Sequence, residues 1–281
     1  MPNAHGIATL LQVMARLRDP DGGCPWDRAQ DFRSIAPHTL EEVCEVIDAI
    51  ERDDYPHLRE ELGDLLFQVV FHAQLGRERG LFDFAAIVDG LVAKLLARHP
   101  HVFPDGTLDS RRHADARTPD SRDVKQIWET AKERERTARG EHSPLGEIPL
   151  TLSALMRAAK MQKRAAHLGF DWPDATPVPG KIREELAEVE AAVAAGEPEN
   201  VVEEVGDLLF ACVNLARHLG VDSEAALRAG NRKFERRFAR MLAFVGGDVE
   251  AFRACSADEK EALWQASKCA ERAAGANAAE A

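Results

Sequence analysis

The chain has 281 residues, 45% of them apolar, and a formal net charge of −12. That length suits two domains with real cores, and the acidic balance argues against a general nucleic-acid binder, whose phosphate contacts need Lys/Arg surfaces. No apolar run approaches the roughly 18 residues of a membrane span, and the start, MPNAHGIATLLQVMARLRDPDGG, does not read as a secretory leader.

In chain order, GGCPWD comes first and carries Cys24, read as a free thiol near a turn. The five cysteines form no CxxC pair, which suits a reducing compartment, so the cytoplasm is the expected location. TLEEVCEVIDAIERD sets Leu40, Val43, Val46, Ile47 and Ile50 at helical spacings, with Thr39 as N-cap and Glu42 three residues on. LREELGDLLFQVVFHAQLGRERG predicts a second long helix ending near Gly80, and DFAAIVDGLVAKLLARH a third. His99 and His101 flank a proline and read as a structural turn rather than a metal pair. Residues 104–150 read as a linker with one helical segment around Trp128, because 104–123 and 140–150 are rich in Pro, Gly, Ser and Asp. Helical pattern resumes at TLSALMRAAKMQKRAA, and the last residues, 271–281, read as a frayed tail. No alternating strand is convincing. The expected fold is all-α: two tandem duplicated helical bundles of about four helices each, over 1–103 and 151–270.

The duplication is explicit. Residues 40–67 align without a gap on 183–210 at an offset of 143, with twelve of 28 positions identical and six of those acidic. With small gaps the match extends outward, bringing Trp26 opposite Trp172. Lys94 and Arg98 fall opposite Lys233 and Arg237, and Trp128 falls opposite Trp264.

Residues three apart share a helix face. Glu42 and Glu45 are one such pair and Glu61 and Asp64 another, on helices that the turn RDDYPHL folds back as neighbours. The second copy repeats this with Glu185, Glu188, Glu204 and Asp207. Converging like charges call for a cation. Oxygen ligands without His or Cys favour Mg²⁺, with Mn²⁺ as the alternative, over zinc. Gly63 and Gly206, weak helix formers in mid-helix, suggest a close helix contact beside the site. No Walker A loop is present, so a P-loop mechanism is excluded.

EExxE, here EEVCE and EELAE, followed by ExxD, here ELGD and EVGD, resembles the MazG nucleoside triphosphate pyrophosphohydrolases, and so do the flanks GGCPWD, RHPHVF and NRKFERRF. The resemblance covers nearly the whole chain apart from linker and tail. It implies an all-α fold that forms a homodimer, and Mg²⁺-dependent hydrolysis of a nucleoside triphosphate to monophosphate and pyrophosphate. It implies that Glu185, Glu188, Glu204 and Asp207 hold metal, that Lys181, Lys233 and Arg237 contact phosphates, and that Trp264 packs on the nucleotide. The run Asn200 to Glu203 would lie against it, although members of the family often carry lysine at the position of Asn200.

Triphosphate cleavage needs charge neutralised on the transferring group and a positioned water. Glu184, or Glu41 in the first copy, is the candidate to orient that water beside Glu185 and Glu204. Lys94 and Arg98 repeat the Lys/Arg pair in the first copy, but His38 stands there in place of Lys181. The second copy is therefore expected to do most of the work. Two other readings stay open at this point: a non-catalytic helical module that senses nucleotide or metal, and a narrower all-α enzyme for dUTP or a phosphoribosyl nucleotide.

Overall fold

The computed structural model describes residues 5–111 and 148–279, with scattered positions between. The chain divides into two compact units, residues 1–136 and 137–281. Most of the expected linker lies outside the described residues. Those described between 123 and 135 are helical, Trp128 among them. Every regular element among the described residues is a helix, and no described helix is long and apolar enough to cross a membrane.

The first unit runs α1 (Ile7–Leu17), α2 (Pro25–Ala29), α3 (Phe32–Glu51), α4 (Tyr55–Glu78) and α5 (Phe84–Arg98). Helix α3 starts earlier than expected. Asp31, not Thr39, is its N-cap, accepting from the backbone N–H of Arg33 and Ser34 in a reciprocal capping box. Pro37 is carried inside the helix. The Thr39 hydroxyl, freed from capping, lies 3.1 Å from His72 Nε2 on α4. Asp54 caps α4 and Asp83 caps α5.

Met14, Ile35, Val70, Phe71 and Leu75 are buried together under Leu10, Leu11, Phe32, Phe67 and Phe84, so α1, α3, α4 and α5 share one core. Arg18 clamps its rim. It forms an ion pair with Glu78 at 2.7 Å, donates to the Asp27 and Gln30 carbonyls, and lies over the Phe71 ring. This fixes short α2, whose Trp26 meets the His38 ring edge-on at 6.0 Å.

The second unit runs α6 (Ala154–His167), α7 (Val178–Ala195), α8 (Pro198–His218), α9 (Ser223–Phe244), α10 (Val249–Ala254) and α11 (Ala257–Ala279). Helices α7 and α8 repeat the α3–α4 hairpin. Gly196, at φ 71°, lets the chain leave α7 in the left-handed region. Gln162 on α6 donates to the Phe210 carbonyl on α8 at 2.8 Å. Asp171 accepts from Arg217 at 2.5 Å and lies 3.0 Å from His218, tying the loop before α7 to the end of α8. Helix α11 packs on α9 and continues to Ala279. The tail expected from residue 271 is thus helical through Ala279, as its alanine content favours.

Among the described residues, the expected close contact at Gly63 and Gly206 is absent. A Cβ at either position meets nothing within 4 Å, whereas one at Gly76 would meet the Phe82 ring at 2.6 Å. Gly63→Ala or Gly206→Ala should therefore raise unfolding free energy by roughly 0.5–1 kcal/mol through lost backbone freedom of the unfolded chain. Gly76→Ala should lower it. Urea titration of the three variants checks the contrast in sign.

Candidate active site

Each hairpin carries one carboxylate cluster. Glu42 and Glu45 on α3 and Glu61 on α4 bring one oxygen each within 4.8 Å of the others, and Glu185 and Glu188 on α7 do the same with Glu204 on α8. The arrangement follows from register. Three-residue spacing aligns two acids along one helix, and the short turn returns the next helix beside it. Val70, Phe71 and Leu75, buried against Ile35 of α3, seat α4 and so aim Glu61. Asp64 lies near enough to Glu42 to raise its pKa. Asp207, exposed, stands one turn beyond Glu204 on α8, outside the three acids that converge within 4.8 Å.

Two of these carboxylates are deeply buried: Glu61 is 7% exposed and Glu185 5%. A buried carboxylate needs a partner, and the two units supply different ones. Lys181 Nζ lies 2.8 Å from Glu185 and 2.6 Å from Glu184. Those hydrogen bonds, to Glu184 first, raise the lysine pKa well above its usual range, and the bond from Lys181 holds Glu185 below the ordinary carboxylate value. In the first unit His57 Nδ1 lies 3.1 Å from Glu61, and His38 lies 3.5 Å from Glu41.

The remaining acids carry the strain of convergence. Glu188 is pushed up by its hydrogen bond to Glu185, then by desolvation and by the Glu185 charge. Glu42 is pushed up by desolvation first and then by Asp64, Glu45 and Glu61, and Glu45 by desolvation and then Glu61. A divalent cation relieves each of these repulsions, and the all-oxygen donor set fits Mg²⁺ or Mn²⁺.

The expected phosphate and nucleotide residues fall in two places. Lys181, Glu184 and Glu185 form one connected group on α7. Asn200, in the first turn of α8, donates to Glu197 at 3.4 Å, and Glu203 is exposed on the same helix. Lys233 and Arg237 lie on α9. Lys233 is exposed, while Arg237 donates to Glu271 on α11 at 2.7 Å and lies 5.5 Å from the Trp264 ring centroid. Trp264 is half-buried beside Phe234, at 5.7 Å between centroids. In the first unit Lys94 is exposed and Arg98 pairs with Glu135. His99 closes α5 with its ring edge-on to Trp128 at 5.3 Å and 5.6 Å from His101, packing as a structural turn does.

Residue-by-residue reading missed His57 as the partner of Glu61, and Glu135 and Glu271 as partners of the arginines. One signal was available for the last two: each stands seven residues after a tryptophan of the repeat.

A family model described as MazG nucleotide pyrophosphohydrolase domain matches residues 30–103 and 180–241, the segments that carry the two clusters. The chain is 49% identical over 269 residues to a protein of Escherichia coli K12 named nucleoside triphosphate pyrophosphohydrolase, covering 92% of this chain and 95% of that one. It is 39% identical over 259 residues to a Thermotoga maritima protein named nucleoside triphosphate pyrophosphohydrolase/pyrophosphatase MazG, covering 92% and 94%.

Proposed function

The chain belongs to the MazG nucleotide pyrophosphohydrolase family, so it is a hydrolase of nucleoside triphosphates, and we propose that the second unit performs this reaction with Mg²⁺ held by Glu185, Glu188, Glu204 and Asp207. The observation that carries this reading is the duplicated carboxylate cluster, closed to 4.8 Å in both units but joined to a permanent cation, Lys181, in the second. Bound Mg²⁺ would supply neutralisation of triphosphate charge and a more acidic water.

The chain's own residues divide the remaining tasks. Lys181 sits where the cluster begins. On phosphate binding its ammonium can pass from Glu184 and Glu185 to a phosphate oxygen, which frees Glu185 for metal and Glu184 to accept a proton from water. Lys233 and Arg237 add two cations four residues apart on one face of α9, and Trp264 offers a ring to the base. Asn200 and Glu203 line the start of α8.

In the first unit Glu42, Glu45, Glu61 and Asp64 form the corresponding metal set, with Lys94 and Arg98 as its cations. With His38 and His57 in place of permanent charge beside the acids, this copy acts as the weaker site or as scaffold. A homodimer fits the exposed apolar residues of the paired helices. Leu40, Ile50, Leu62 and Leu66 on α3–α4, and Val193, Val202, Leu209 and Phe210 on α7–α8, are all more than 40% exposed.

Incubation with Mg²⁺ and each of the eight common ribo- and deoxyribonucleoside triphosphates should release pyrophosphate and the monophosphate in equal amounts. Orthophosphate with diphosphate would overturn the reaction type. Turnover of one substrate alone would select a narrower specificity.

A further inference from the structure

Arg237 is gripped from two sides. Its Nε donates to Glu271 Oε2 at 2.7 Å, and its guanidinium carbon lies 5.5 Å from the centroid of the Trp264 ring. Glu271 also accepts from Arg236 at 3.3 Å. The carboxylate half of this device recurs in the first unit. There Arg98 donates through Nε and Nη2 to the two oxygens of Glu135, at 2.8 and 2.5 Å. Glu135 follows Trp128 by seven residues, and Glu271 follows Trp264 by seven. Seven residues is close to two helical turns, so tryptophan and glutamate lie on one face of the last helix. Each arginine in turn follows a lysine, Lys94 or Lys233, by four.

Two copies have thus kept one four-part constellation of lysine, arginine, tryptophan and glutamate while the residues around it changed. His99 packs on Trp128 where Phe234 packs on Trp264. Stability is a weak reason to keep such a pair, because partly exposed ion pairs contribute little. Orientation is a better one. A guanidinium presents five N–H donors in a rigid fork. A carboxylate on Nε, with an aromatic ring beneath, fixes the plane of that fork and leaves the terminal Nη groups to meet a planar pair of phosphate oxygens. In the first unit the carboxylate also takes Nη2 and so uses part of the fork itself.

We propose that Glu271 is a positioning residue. With Trp264 it holds the Arg237 guanidinium in the orientation that receives a substrate phosphate, and Glu135 holds Arg98 in the same way. This rests on the reading of Arg237 as a phosphate ligand given above.

Steady-state hydrolysis of the preferred triphosphate tests it with Arg237→Ala, Glu271→Ala, Glu271→Gln, Glu271→Asp and the double variant Arg237→Ala/Glu271→Ala, each checked for melting temperature. Glu271→Ala should raise KM on the order of tenfold and change kcat far less, as expected when a binding group loses its aim. Glu271→Gln keeps an acceptor for Nε and should recover most of the loss. Glu271→Asp keeps the charge but withdraws it by one methylene, should reproduce the rise in KM, and replaces Glu271→Ala if that variant does not fold. The double variant should be no worse than Arg237→Ala.

A raised KM in Arg237→Ala with wild-type KM in both Glu271→Ala and Glu271→Asp overturns the proposal alone. Additive losses in the double variant do the same. Wild-type KM in Arg237→Ala overturns both the proposal and the phosphate role of Arg237.

Discussion

Glu204→Gln should slow pyrophosphate release by on the order of 10²- to 10³-fold, and Glu61→Gln, the same change in the first unit, should slow it less than about threefold. The amide has nearly the volume of the carboxylate, so the packing of α8 is kept while one of the three converging oxygens loses its charge. A metal ion short of one carboxylate is held less firmly and neutralises less of the charge that develops on the phosphates. That effect is worth several kcal/mol, and each 1.4 kcal/mol is about tenfold in rate. The asymmetry between the units follows from the partners of the buried acids: Lys181 at 2.8 Å from Glu185, against His57 at 3.1 Å from Glu61. Equal losses in the two variants would mean that both units turn over. A large loss in Glu61→Gln alone would move the active site to the first unit and leave the family assignment untouched.

The sequence made the clusters legible because their spacing is local. Three residues along one helix and a short turn to the next place Glu185, Glu188 and Glu204 together whatever else the chain does. The end of α4 and both ends of α5 were legible for the same reason, since Gly80 and Asp83 act on the chain beside them, whereas α4 begins at Tyr55, inside the run RDDYPHL read as a turn. The start of α3 was not. Thr39 read as the N-cap, yet Asp31 caps the helix eight residues earlier and Pro37 is absorbed inside it, because its absent N–H leaves a single carbonyl to satisfy. The open faces of Gly63 and Gly206 were equally hidden, since a glycine reads the same whether a neighbour presses on it or nothing does. The pairing of Arg237 with Glu271 depends on how α11 packs on α9, 34 residues away in sequence. Only the repeat, which spaces Trp128 from Glu135 as it spaces Trp264 from Glu271, carried a trace of it.

Mg²⁺ should raise the melting temperature of EDTA-treated protein, and the rise should be larger near about pH 7.5 than near about pH 5. The folded-state pKa values of Glu188, Glu42 and Glu45 lie above the ordinary glutamate value of 4.5. The metal-free folded chain therefore holds these protons more tightly than the unfolded chain does. Their contribution to stability is fully present below the ordinary value and is lost as pH rises through the raised ones. Metal binding has the opposite sign, because it needs these carboxylates ionised and releases their protons. At higher pH the repulsion is unrelieved and Mg²⁺ stabilises in full, by about 2.7 kcal/mol at a hundred times its dissociation constant. Toward pH 5 the ion must displace protons first, so its affinity and the gain in melting temperature both shrink. Glu185 does not contribute in this window. Its pKa is lowered by the hydrogen bond from Lys181, so its stabilisation is present above the ordinary value and is lost only as pH falls below it. Differential scanning calorimetry in MgCl₂ and in EDTA at the two pH values measures the difference, with Glu188→Gln/Glu42→Gln as the control that removes one proton-binding acid from each unit. A gain that is the same at both pH values, or undiminished in the control, would show that the ion binds away from these carboxylates.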